Sequence, residues 1–354
     1  MIRSRSPYIV TTPWENPLGG AVSGEFYTLH IFVWDGDKSA IPGTATYTTT
    51  KRNPSASTGT DDIDIAPILR DEIEYTPVSS PTTAILNDPN ARWVHYYVTY
   101  ENDPTPQQLN TQLFNLSYAH GLEPRNYTTF VDSILISDKV IEYDANDIFI
   151  FPFLADESVA KTLDYKSYPN GVVDSKIIIS ATTQSSELTQ MLFFHTADMA
   201  DEEYLEIIYD GVPRYVYKKE ECRYTPVEVV FVNKDGVQQS LPFFTQSVQS
   251  LRTSKESFES NRGLPSNGKH QYVSFNVQGR GKKAINTGFI QPEMNEIITQ
   301  LMLNESVWIY DVANDKFIPM NLDQGSLDYK DRIKDKLINY EIRFENSYNE
   351  IQNQ

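Results

Sequence analysis

One cysteine, Cys222, in 354 residues excludes an internal disulfide and any zinc site built from several thiolates, since both need partners. Long apolar runs are also missing. No stretch approaches the roughly 18 apolar residues of a membrane helix, and the opening MIRSRSPYIVTTPWENP lacks the apolar region of a signal peptide. Synthesis in a cytoplasm without membrane insertion is expected. Basic residues are few, 30 against 48 acidic, for a net charge of -18. Specific nucleic-acid binding is not expected, because a grip on phosphates needs cations that replace released counterions. The same sign suits a solvated surface, or a conduit past which DNA slides without sticking.

Catalytic and metal-binding patterns are absent as well. His30, His95, His120, His195 and His270 are scattered, and none has a His or carboxylate at the helical spacing of a metal site. There is no GxSxG elbow, no Cys-His signature around Cys222 and no GxxxxGK[ST] loop. DGDKSAIPG at 35–43 opens like a calcium loop but lacks the later ligands and the closing Glu. A pair of carboxylates distant in sequence, as a glycosidase uses, is the one arrangement that spacing leaves open. No catalytic residue, cofactor-binding residue or metal ligand is assigned, no cofactor is expected, and the chain reads as not an enzyme.

What is present points to β structure. Twenty-two Tyr accompany many Val, Ile, Thr and Phe residues, which suit a pleated, half-buried surface. Asp35-Gly36, Asp210-Gly211 and Asp235-Gly236 each follow an apolar run, the signal of a hairpin turn. LINYEIRF alternates strictly, placing Ile338, Tyr340, Ile342 and Phe344 on one face of a half-buried strand. VEVVFV at 227–232 is apolar on both faces, so both should be covered. Cys222, just before it, reads as a small buried hydrophobe. VWIYDVANDKFIPMNL reads as strand, turn and strand.

One amphipathic helix is predicted at about 292–305. There Met294, Ile297, Ile298, Leu301 and Met302 form a stripe, Pro292 suits the first turn, and Glu293 and Glu296 suit the positive end of the dipole. A weaker helix is predicted within 104–120, and a short turn in PILRDEI. Long polar loops are expected at 48–62, 76–90 and 260–270, as binding surfaces or arms. GRGKK at 279–283 reads as a turn whose three positive charges suit an acidic neighbour. The expected fold is mainly β: multi-domain sandwich-like or barrel-like units, divided at 1–152, 153–219 and 220–354, with the helix in the last.

Several segments together resemble a family of structural proteins in tailed bacteriophages that infect Bacteroidota hosts. They are RSPYIV, DIAPILRDEI at 64–73, CRYTPVEVVFVNKDGVQQSLPFF at 222–244, NTGFIQPEMNEIITQLMLNESVWI at 286–309 and KDKLINYEIRFENSYN at 334–349. The resemblance is densest after residue 220. It implies a virion component of the tail, baseplate or neck, assembling with copies of itself in a symmetric ring and with adjoining phage proteins, and it carries no functional residue across. The alternative is a receptor-binding or carbohydrate-binding module on the virion, with Trp14, Trp34, Trp93 and Trp308 as sugar-stacking candidates, although the last three lie in apparent strands where core packing competes. A third reading is a virion-borne hydrolase of the host envelope.

Overall fold

The computed structural model describes residues 2–5, 7–13, 26–52, 60–80, 82, 84–101, 103–107, 114–120, 134–136, 140–143, 148–154, 161–167, 174–181, 189–195, 204–218, 224–260, 270–290, 292–311, 313–326, 328 and 338–350. The protein is mainly β, built from several largely antiparallel sheets with little helix. Its backbone divides into two compact units. The first comprises 1–141, 145–218 and 232–239; the second comprises 142–144, 219–231 and 240–354.

The first unit is organised around Phe26–Trp34 and Arg92–Tyr100, which pair antiparallel along their full length from Tyr27↔Tyr100 to Trp34↔Trp93. Their alternate side chains are buried because both faces are covered: Tyr27, Leu29 and Ile31 on one, Phe32, Trp34 and Trp93 on the other. A three-stranded sheet of Ile148–Leu154, Thr189–His195 and Ala84–Asn87 supplies Phe151, Phe153, Met191 and Phe193 to the core. A five-stranded sheet runs in the order Val140–Tyr143, Val212–Lys218, Tyr204–Tyr209, Lys161–Ser167, Asp174–Ala181. Asp210-Gly211 joins its two neighbours as a two-residue turn, closing Tyr209 onto Val212 with φ of 52° and 78°. Two successive positive φ values match the twist of the strands, and Asp-Gly is the pair that adopts them most readily.

The other two Asp-Gly pairs work differently. Gly36 has φ 81° but opens a longer connection, 35–46, before Tyr47–Arg52 returns beside Phe26–Trp34. The indole of Trp34 donates to the Asp37 carbonyl at 3.0 Å and that of Trp93 to the Gly36 carbonyl at 3.2 Å, so the connection is tied to the core beneath it. At Asp235-Gly236 the turn is built by Asn233, whose N–H donates to the Val237 carbonyl at 2.9 Å while its side-chain oxygen accepts from Asp235 N at 3.0 Å.

A seven-stranded sheet, nearly all of it in the second unit, runs in the order Gln238–Phe243, Val227–Val232, Val307–Asp311, Lys316–Leu322, Glu341–Asn346, Tyr272–Asn286, Val248–Glu259. Val227–Val232 is buried on both faces as its sequence required, with Val229 and Phe231 in the main core. Ile338, Tyr340, Ile342 and Phe344 are all buried in that core, Ile338 through a bridge to Ile290 ahead of the strand Glu341–Asn346. Val307–Asp311 and Lys316–Leu322 form the expected strand pair, with Asp315 at φ 48° in the turn. Ile297, Ile298 and Leu301 of the helix Asn295–Met302 close the core from above the sheet. Burying such side chains contributes about 1.5–3 kcal/mol each.

Three expectations need correction. The helix is shorter than 292–305: Pro292–Met294 is a 3-10 turn, the α-helix is Asn295–Met302, and the Asn304 side chain ends it by accepting from Ser306 N at 2.7 Å. The weaker helix at 104–120 does not form, since Asp103–Gln107 and Phe114–His120 are strands. Pro104 and Pro106 lack the N–H that a helix interior needs, and Phe114–His120 is claimed from both sides, parallel to Ile2–Arg5 and antiparallel to Arg92–Tyr100. The long loops also carry strands, Tyr47–Arg52 and Thr60–Asp64 at the ends of 48–62 and Ala84–Asn87 inside 76–90.

Candidate functional site

The outermost pair of the second unit's sheet extends past the strands beside it. Tyr272–Asn286 pairs with Glu341–Asn346 only from Lys282 to Asn286, so residues 272–281 have Val248–Glu259 as their strand partner. At about 3.3 Å per residue those ten residues reach roughly 30 Å beyond the sheet. All twelve side chains of Val248–Glu259 are exposed. The pair is a two-stranded ribbon with no core of its own.

Two features shape it. The register slips between Ser254 and Glu256, opposite Asn276 at φ 49°, so Asn276 and Val277 face a single residue as a bulge that raises the local twist. Asn is among the few non-glycine residues that accept this backbone conformation. At the base, Gly279 and Gly281 allow close approach: a Cβ on Gly281 would lie 2.7 Å from the Asn346 side-chain nitrogen, and one on Gly279 would lie 3.3 Å from Leu251 Cδ1. Into this space runs the segment after the last strand. Glu350 N donates to the Gly279 carbonyl at 2.7 Å and Arg280 Nε to Asn349 Oδ1 at 3.0 Å. The Lys282 ammonium pairs with the Asp323 carboxylate.

The ribbon displays apolar side chains that a free molecule would hide. Leu251 is 61% exposed, Phe258 50%, Tyr272 64% and Val277 56%. Phe258 and Phe275 meet edge to face, ring centres 5.7 Å apart, and Phe258 lies directly opposite Val273. Scattered exposed apolar residues are ordinary, whereas several on one projecting element mark a contact surface. A groove of about 490 Å³ lies at the ribbon base, floored by Ile309, Ile318 and Met320 and flanked by Leu251, Lys283 and Glu350. Burial lowers the Lys283 pKa, against the opposing pull of Asp311.

The residues considered from the sequence fall elsewhere. Trp34 and Trp93 are buried and Trp308 is half-buried. His30 is half-buried against Tyr97, with Nε2 2.9 Å from Thr99 Oγ1; His95 is buried; burial lowers the pKa of both. His270 is exposed near the ribbon's far end. Trp14, Cys222, the 261–269 stretch and the side chains of His120 and His195 lie outside the described residues. GRGKK is not a turn but part of the strand Tyr272–Asn286, at the ribbon base. Among the described residues no group of three or more His, Cys, Asp and Glu is placed to hold a metal, and no helix is long and apolar enough to cross a membrane.

The ribbon residues themselves escaped the sequence reading, although the alternation of Val273, Phe275 and Val277 with Ser274 and Asn276 carried the signal of a strand. Fold and site together define a mainly β chain whose distinctive surface is a projecting apolar ribbon. No family model and no curated protein matches the chain.

Proposed function

We propose that the chain is a structural protein of a tailed-bacteriophage virion, a subunit of the tail, baseplate or neck that assembles with copies of itself and docks onto adjoining phage proteins. The observation that carries this reading is the ribbon, whose strand Val248–Glu259 is wholly exposed and forms an open sheet edge. An open edge with apolar side chains is a ready template for pairing with another chain, which supports a role in assembly. The resemblance of the segments at 64–73, 222–244, 286–309 and 334–349 to structural proteins of phages infecting Bacteroidota supplies the setting. The net charge of -18 suits a particle component that DNA passes without adhering.

The test is direct. Purified particles, analysed by mass spectrometry and by cryo-electron microscopy with this chain traced, are expected to contain it in multiple symmetric copies. A chain absent from purified particles would overturn the reading.

A further inference from the structure

The ribbon strands Val248–Glu259 and Tyr272–Asn286 carry five Lys and Arg against two Glu, a net charge of +3, which leaves -21 on the remainder of a chain whose total is -18. The ribbon is therefore a basic element on an acidic protein. Within it Arg252 and Arg280 are directly opposite each other across the two strands. Like charges in that position repel. Both border a hollow of about 260 Å³ with Ser254, Gln278, Asn349 and one carboxylate, Glu345, and among the described residues neither guanidinium forms an ion pair with Glu345 or any other carboxylate, so two positive charges face one negative. Asn349, a neutral amide, is the partner of Arg280. Two facing guanidiniums beside a polar hollow are arranged to receive a carboxylate between them, which would turn their repulsion into two charge-assisted hydrogen bonds.

We infer that the ribbon is an arm that docks on the acidic body of a second copy of this chain, with Arg252 and Arg280 gripping a carboxylate of that copy and the Phe258–Phe275 pair covered by the same contact. The inference rests on the reading of the chain as a self-assembling subunit and names how it assembles. Charge complementarity selects the occupant: the rest of the chain carries a net charge of -21, so an identical copy offers what the arm lacks. A contact of this kind is heterologous, arm to body, and builds rings or filaments rather than closed pairs.

The experiment measures self-association of the full chain by sedimentation velocity across a salt series, for wild type, for Arg252→Glu with Arg280→Glu, and for Phe258→Ser with Phe275→Ser. All four side chains are exposed, and circular dichroism confirms that each variant is folded. The wild type is expected to associate at low salt and to dissociate as salt rises. The charge reversal is expected to weaken association by at least roughly tenfold and to flatten its salt dependence, while the Phe variant weakens it with the salt dependence kept. Undiminished association of the charge reversal would overturn the arm while leaving the subunit reading intact. A wild type that stays monomeric at low salt would also overturn the arm, and the particle analysis would then decide the subunit reading separately. An added DNA duplex bound by wild type but not by the charge reversal would reassign the arm to nucleic acid and overturn the inference.

Discussion

Gln238 stands in for a strand beside Val78: its side-chain oxygen accepts from Val78 N at 2.7 Å and its side-chain nitrogen donates to the Val78 carbonyl at 2.8 Å. One amide thus satisfies both backbone polar groups of a residue 160 positions away. Gln238 is fully buried, and Asn233 across the same turn donates to the Leu135 carbonyl at 2.6 Å. The strands of the segment CRYTPVEVVFVNKDGVQQSLPFF, Val227–Val232 and Gln238–Phe243, are largely buried.

Replacing Gln238 by Leu keeps the volume and removes both bonds, stranding the N–H and carbonyl of Val78. Leaving a buried backbone group unmade costs about 1–3 kcal/mol, and Val78 is half-buried, so the lower part of that range applies to each. Urea unfolding of Gln238→Leu is expected to show a loss of about 2–4 kcal/mol. A midpoint equal to wild type would mean that water replaces the amide.

Asp88 gives the protein a specific pH response. It sits buried at the turn joining Ala84–Asn87 to Arg92–Tyr100, where it accepts from Asn90 N at 2.9 Å and Asn90 Nδ2 at 3.0 Å. Burial pushes its pKa up from 3.8 to about 6 against those bonds and the Arg92 charge. A raised carboxyl pKa means that the folded state holds the proton more tightly, so this group's contribution falls as pH rises from about 4 to 6 and is constant above. Asp88→Asn keeps the acceptor and removes the buried charge. It is expected to be more stable than wild type at pH 7, by at most about 3 kcal/mol, with the difference vanishing near pH 4. A difference independent of pH would show that Asp88 does not titrate there.

The hydrophobic pattern made parts of this architecture readable in advance. The period-2 spacing of Ile338, Tyr340, Ile342 and Phe344 names a buried face whatever covers it, and Asp210-Gly211 names its turn because few other pairs take two positive φ values. Asp35-Gly36 carries the same dipeptide yet opens a twelve-residue connection, 35–46, because the indoles of Trp34 and Trp93, far apart in sequence, hold it. The 104–120 stretch failed for a similar reason: its strand Phe114–His120 is specified by neighbours at residues 2–5 and 92–100. The ribbon shows the deeper limit. Alternation in Val273, Phe275 and Val277 signals a strand, but it shows neither the bulge at Asn276 and Val277, which takes Val277 off the face of the other two, nor whether a face meets a core or open solvent.

Leu301 tests the one helix. It is fully buried among Ile297, Ile298 and the sheet side chains Phe231 and Phe344, at the end of a helix only eight residues long. A helix this short is marginal alone and depends on its packed face. Leu301→Ala is expected to cost about 2–5 kcal/mol through lost burial and the cavity left behind. Thermal unfolding followed by circular dichroism reads this, and a cost below about 1 kcal/mol would mean that the helix collapses onto the space.

Gly281 decides whether the ribbon base and the 346–350 segment are one piece. An added Cβ meets the Asn346 side-chain nitrogen at 2.7 Å and Glu350 Oε1 at 3.3 Å, and these are side-chain ends that are able to move away. Gly281→Ala therefore displaces Asn346, breaks its 3.3 Å bond to Glu350, and pulls against the Glu350 N to Gly279 carbonyl bond. The core is untouched, because Phe344 and Ile285 lie inward of this contact. Global stability is expected to change by less than about 1 kcal/mol, while hydrogen exchange at the Glu350 amide accelerates severalfold as the segment lifts from the ribbon. Unchanged exchange there would mean that the Glu350–Gly279 backbone bond holds the 346–350 segment on the ribbon without the Asn346 side chain in place.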